Sequence, residues 1–128
     1  MRVLLIDDHA FVRVALGMLL DEPDIEIAGE GSNGREAVDL TRHLQPDVVL
    51  MDVSMPDMDG VQATRAIHAE WPQVCIIGLS IHEEDAQAAA MLAAGAMGYV
   101  SKTAPQEQLL AVMRACHARR DSPPPQAV

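Results

Sequence analysis

With 128 residues and 49% hydrophobic content, the chain has the size of one domain and enough apolar material for a packed core, so a large multidomain enzyme is excluded. Nineteen acidic against nine basic residues leave a formal charge of −10. That balance argues against a nucleic-acid surface and against attachment to anionic lipid, both of which need clustered Lys and Arg. Eight of the nine bases are Arg, and Lys102 is the only lysine.

No apolar run approaches the roughly 20 residues of a membrane span, and the chain opens on a strand-like run instead of a secretory signal, so a cytoplasmic protein without membrane partners is expected. Cys75 and Cys116 form neither a disulfide framework nor a zinc spacing and read as reduced thiols.

In chain order, Val3 to Ile6 is a short continuous apolar run that stops at Asp7 and Asp8, the pattern of a strand buried on both faces. A helix follows, in which Phe11, Val12, Ala15, Leu16, Leu19 and Leu20 recur at helical spacing before Pro23 closes the segment. Ile25 to Glu30 alternates apolar and polar residues and reads as an edge strand. Ser32 or Asn33 caps a second helix, whose stripe of Ala37, Val38, Thr41 and Leu44 ends before Pro46. Val48 to Met51 is the third strand, and a loop rich in Pro, Asp and Gly leads to a helix over 60–71. Val74 to Leu79 is the fourth strand. An alanine-rich helix opens on Glu83, Glu84 and Asp85 and ends at Gly95. Gly98 to Val100 forms a fifth strand, and a last helix begins near Pro105. Residues 1–120 are thus expected to be the domain, and 121–128, with three consecutive prolines, a C-terminal tail or linker.

Five strand–helix units in strict alternation imply an α/β fold, a doubly wound parallel sheet with helices on both faces. Ligands of such sheets bind beyond the carboxyl ends of the strands. Asp7 and Asp8 end the first strand, Asp52 the third, Ser80 the fourth and Lys102 the fifth. Two carboxylates about 4 Å apart repel by about 4 kcal/mol at an effective dielectric near 20, so a counter-charge is required. Mg²⁺ suits the set, because it takes one or two carboxylates, several waters and a phosphate oxygen. A calcium loop is excluded, since Asp57-Met58-Asp59-Gly60 lacks the register of ligands that would follow. A carboxylate beside a divalent cation and a lysine is suited to attack on phosphorus, giving an aspartyl-phosphate.

The run Leu4-Leu5-Ile6-Asp7-Asp8-His9, the stretch from Val48 to Gly60, Gly78-Leu79-Ser80 and the stretch from Ala94 to Lys102 together resemble the receiver domain of bacterial two-component response regulators. The closest likeness is to receivers that precede a LuxR-type domain or end a hybrid sensor kinase. The resemblance implies a flavodoxin-like five-stranded sheet in the order 2-1-3-4-5 with five helices. It implies a phosphoacceptor that assists its own phosphorylation, not an enzyme acting on a separate substrate. Asp52 would take the phosphoryl group from the phosphohistidine of a histidine kinase or phosphotransfer domain. Asp8 would ligate Mg²⁺ directly, Asp7 largely through water, and Asp52 and the Ser54 backbone carbonyl would complete the protein ligands. Lys102 would contact the phosphoryl group, and Ser80 and Tyr99 would rearrange together when it arrives.

Helix 4, strand 5 and helix 5 would form the partner face, including that of a homodimer. Departures from the pattern are the branched Ile81 after Ser80, Thr103 in place of a proline after Lys102, and the choice of Ser54 and His82 two residues past site residues. The remaining histidines, His9, His43, His68 and His117, read as solvated, and Met51, Met91, Met97 and Met113 as core filler. A nucleotide-binding domain lacks support without a Gly-rich phosphate loop, a flavin carrier needs a hydroxyl-rich first loop, and a haloacid-dehalogenase-like phosphatase needs a D-x-D at the first strand. The surviving alternative is a degenerate receiver that serves only as a protein-interaction module.

Overall fold

A computed structural model describes residues 1–53, 55, 58–80 and 85–121. Five strands alternate with five helices: β1 (Arg2–Ile6), α1 (Ala10–Leu19), β2 (Glu26–Gly31), α2 (Gly34–Leu44), β3 (Val48–Asp52), α3 (Gly60–Glu70), β4 (Cys75–Ser80), α4 (Asp85–Ala94), β5 (Gly98–Ser101) and α5 (Gln106–Asp121). All pairings are parallel, in the order β2-β1-β3-β4-β5. β2 and β5 are the edges, as the alternating pattern of β2 requires. Its register against β1 slips between Val3 and Leu4, which pair with Ile27 and Gly29.

The sheet separates two apolar layers because successive side chains of a strand point to opposite faces. Val3, Leu5, Val48, Leu50, Cys75, Ile77 and Leu79 face Leu16 and Leu20 of the α1 segment and Leu109, Leu110, Met113 and Cys116 of α5. Leu4, Ile6, Val49, Met51 and Ile76 face Ala37, Ala63, Ile67 and Met91 from α2, α3 and α4. The three central strands β1, β3 and β4 are buried almost end to end, which is why they read as unbroken apolar runs.

Local chemistry sets the helix ends. Asn33, one of the two candidates, caps α2 by accepting the Glu36 N–H at 2.8 Å, while Ser32 donates its N–H and hydroxyl to the Glu36 carboxylate. Asp59 and Gln62 form a reciprocal capping box at the start of α3, which gives Asp59 a structural task in the acidic loop. Gly95 after α4 has φ of +120°, and a Cβ there would strike the His68 ring, so glycine is required on both counts.

Several expectations change. Phe11 is 84% exposed, because the buried stripe of α1 runs through Val12, Leu16 and Leu20 and Phe11 lies about 100° to one side. With Val14 and Met18 it forms an exposed apolar line on α1. Met97 is 37% exposed, unlike the fully buried Met51, Met91 and Met113. His68 is half-buried against Gly95. Cys75 and Cys116 are buried and form no disulfide, in keeping with the expectation of reduced thiols. The expectations for Ser54, Ile81, His82, Glu83, Glu84 and residues 122–128 lie outside the described residues.

Candidate functional site

The parallel register brings the three acidic strand ends together. Ile6 pairs with Met51, so Asp7 and Asp52 emerge side by side, and Asp52 in turn pairs with Leu79, the residue before Ser80. Ser80 pairs with Ser101 across β4 and β5, which places Lys102 next, and the Lys102 N–H donates to the Ser80 carbonyl at 2.7 Å. Asp52 and Ser80 are thus the last residues of β3 and β4, and Asp7 and Lys102 the first ones past β1 and β5.

Lys102 closes this crevice. Its Nζ lies 2.6 Å from Asp7 Oδ2 and 3.3 Å from Asp52 Oδ1, with Asp7 wholly buried and Asp52 5% exposed. Burial pulls the ammonium pKa down, but the contact with Asp7 and the charges of Asp52 and Asp7 outweigh it and hold it above the usual lysine value. Lys102 is thus a fixed positive charge at neutral pH. Against Asp7, Asp8 and Asp52 it leaves the crevice acidic.

The Asp7–Asp8–His9 segment offers ligand atoms that all lie within 4.8 Å of one another. Asp7 Oδ1 accepts the His9 backbone N–H at 2.9 Å, which locks its carboxylate, and its backbone carbonyl accepts from Arg13. The Arg13 guanidinium also pairs with Glu30 at 3.2 Å, tying α1 to β2 behind the site. Asp8 is only partly buried, yet its Oδ1 is enclosed and accepts no hydrogen bond from the described residues, His9 Nδ1 lying 3.1 Å away. A carboxylate oxygen enclosed without a donor is incompletely compensated, and a hard cation answers that need. The acidic pocket fits such an ion.

Sequence reasoning placed Asp7, Asp8, Asp52, Ser80 and Lys102 at strand ends, and the fold joins Asp7, Asp8, Asp52 and Lys102 into one crevice beside Ser80. Tyr99 lies on β5 three residues before Lys102, with its hydroxyl buried. Ser54 lies outside the described residues. His9 is exposed, as expected of a solvated histidine, yet its ring lies 3.4 Å from Asp7 Oδ1 and 3.1 Å from Asp8 Oδ1, a proximity that adjacency in the chain could have signalled. Gly60 was missed. A Cβ there would lie 2.2 Å from the Asp52 carbonyl oxygen and 2.8 Å from Val53 Cα, and the Gly60 N–H donates to the Val53 carbonyl at 2.9 Å, so α3 begins in direct contact with the backbone that carries Asp52.

Fold and site together define a doubly wound α/β domain with a lysine-bridged acidic pocket at the carboxyl edge of its sheet. The chain belongs to the response regulator receiver domain family, whose model matches residues 3–114. It is similar to the transcriptional regulatory protein LiaR of Bacillus subtilis, with 44% identity over 115 residues covering 89% of this chain and 54% of LiaR. It is similar also to the response regulator VraR of Staphylococcus aureus, with 39% identity, 88% of this chain and 54% of VraR. Among solved structures, a LuxR-family two-component response regulator from Aurantimonas superposes with a TM-score of 0.86 at 32% identity, covering 91% of this chain and 84% of that one. The chain spans about half the length of the curated relatives it matches. No helix among the described residues is long and apolar enough to cross a membrane.

Proposed function

We propose that the chain is a competent phosphoacceptor in a phosphorelay, taking a phosphoryl group from the phosphohistidine of a histidine kinase or phosphotransfer domain onto Asp52. The observation that carries this reading is the Lys102 ammonium held between Asp7 and Asp52 at the carboxyl edge. An Asp52 oxygen attacks phosphorus, the P–N bond breaks, and the imidazole leaves with the electron pair and takes a proton. Lys102 then exchanges its contact with Asp52 for one with the phosphoryl oxygens, whose charge it balances.

Asp8 would hold Mg²⁺ directly, with Asp52 and the Ser54 carbonyl, and Asp7 would act through water and through its grip on Lys102. When bound, the cation offsets the charge that gathers on the phosphoryl oxygens. The intact acidic pocket favours this over a degenerate interaction module. Ser80, nearly buried at the end of β4, supplies a hydroxyl to the phosphoryl group, and Tyr99 follows its movement. The readout is a change at the α4–β5–α5 face, which also serves a homodimer. The chain is read as cytoplasmic, with residues 1–120 as the receiver domain and 121–128 as a C-terminal tail or linker, and its similarity to a transcriptional regulatory protein supports transcription as the output.

Incubation with acetyl phosphate and Mg²⁺ followed by intact-mass measurement tests the proposal. One added phosphoryl group is expected on the wild type and none on Asp52→Asn. Absence from both, or persistence in Asp52→Asn, overturns it.

A further inference from the structure

Tyr99 stands beside Gly78 in the parallel register of β4 and β5, and its ring leans across β4 into the space a side chain at position 78 would fill. A Cβ on Gly78 would lie 2.9 Å from Tyr99 Cδ2 and 3.4 Å from Cε2, with Met91 Cε at 3.0 Å. Contacts this close require something to shift. The methionine methyl is the end of a flexible chain, whereas the aromatic ring moves only by leaving its place. Met91 is itself fully buried on α4, where its sulfur accepts from the Thr64 hydroxyl at 3.7 Å. Tyr99 therefore rests on bare backbone beside a methyl group.

The hydroxyl adds a second observation. It is buried and has no hydrogen-bond partner among the described residues. The packing of the ring in this position depends on the absence of a side chain at 78.

We infer that Gly78 is the positioning residue of Tyr99, a seat in β4 that lets the ring settle against the strand backbone. Any coupled movement of Ser80, two residues along β4, and Tyr99 then starts from a ring whose place Gly78 sets. The seat stands on geometry; its regulatory meaning rests on the reading of Ser80 and Tyr99 given above.

The test is methyl NMR of the full, unphosphorylated chain labelled at methionine, with the Met91 resonance identified by its loss in Met91→Leu. The Met91 methyl is expected at a position displaced by the Tyr99 ring current, the displacement being its difference from Tyr99→Leu. In Gly78→Ala it should move to the Tyr99→Leu position while the Met51 and Met113 methyls stay in place. A Met91 methyl unchanged by Tyr99→Leu, or a displacement that survives Gly78→Ala, overturns the inference. Should Gly78→Ala fold poorly, denaturation decides: the alanine should cost less stability in the Tyr99→Leu background than in the wild type, and equal costs overturn the seat. Phosphorylation read by intact mass is separate. A chain that takes no phosphoryl group but shows the displacement keeps the seat and loses the phosphorelay reading, and the reverse result does the opposite.

Discussion

Replacing Lys102 by methionine keeps the length and apolar stem of the side chain and removes the one charge between two buried carboxylates. Asp7 Oδ2 and Asp52 Oδ1 both touch the same nitrogen, which puts them within about 6 Å of each other, where like charges repel by about 3 kcal/mol at an effective dielectric near 20. Removing one partner of a buried pair costs about 3–5 kcal/mol in general, and the slight exposure of Lys102 places it at the lower end. Lys102→Met should therefore lose about 3 kcal/mol in urea denaturation with EDTA present. The same variant should be stabilised by Mg²⁺ more than the wild type, because a cation then neutralises a pocket carrying one more unit of uncompensated charge. Equal Mg²⁺ stabilisation of the two proteins, or a loss below about 1 kcal/mol in EDTA, would refute the bridging role of the ammonium.

Other outcomes follow from the same geometry. Asp59→Ala should cost about 1 kcal/mol by chemical denaturation, through loss of the capping box at α3. Gly60→Ala should cost more than Asp59→Ala, since its Cβ meets rigid backbone at Asp52 and Val53, and should also slow phosphorylation of Asp52 measured by intact mass. Glu36 has its pKa lowered by hydrogen bonds from the Ser32 hydroxyl and N–H. A carboxyl depressed in the folded state contributes stability above its unfolded value, 4.5, and loses it as pH falls through the lower folded value. Glu36→Gln should accordingly show a smaller loss of stability than the wild type in denaturation between about pH 6 and pH 3. Phe11→Ser should change stability by no more than about 0.5 kcal/mol in the same assay, because the ring is almost wholly exposed.

Much of this architecture is legible in the linear pattern, for a physical reason. Strands buried on both faces have to be continuous apolar runs, so Val3 to Ile6, Val48 to Met51 and Val74 to Leu79 announce themselves, and the polar residue that ends each run is forced to the carboxyl edge. The order of strands is different. Alternation permits more than one doubly wound order, and family resemblance supplied the one observed. What single-residue patterns could not show is contact between distant segments. Gly60 looks like a loop glycine until the Asp52 carbonyl is found 2.2 Å from where its Cβ would be, and Gly78 looks like a weak point in a strand until Tyr99 is found across it. Phe11 misled because helical spacing defines a stripe without defining its width, and Phe11 falls outside the part of that stripe that is buried.

The lone lysine shows how far composition can reach and where geometry takes over. A chain with eight arginines and one lysine could have placed a guanidinium at the fifth strand end, but a planar fork is matched to one carboxylate edge at a time. The crevice instead asks a single nitrogen to touch Asp7 and Asp52 at 2.6 and 3.3 Å while about a tenth of its side chain stays exposed. A compact ammonium with three donors meets that demand, and its long stem allows the head to move from one oxygen to another without disturbing β5. Lys102→Arg is therefore not conservative here: it should retain the positive charge yet fail to contact both carboxylates, so intact-mass measurement should show slower phosphorylation than in the wild type. A variant that is phosphorylated at the wild-type rate would show that charge alone, not its compactness, is what this position supplies.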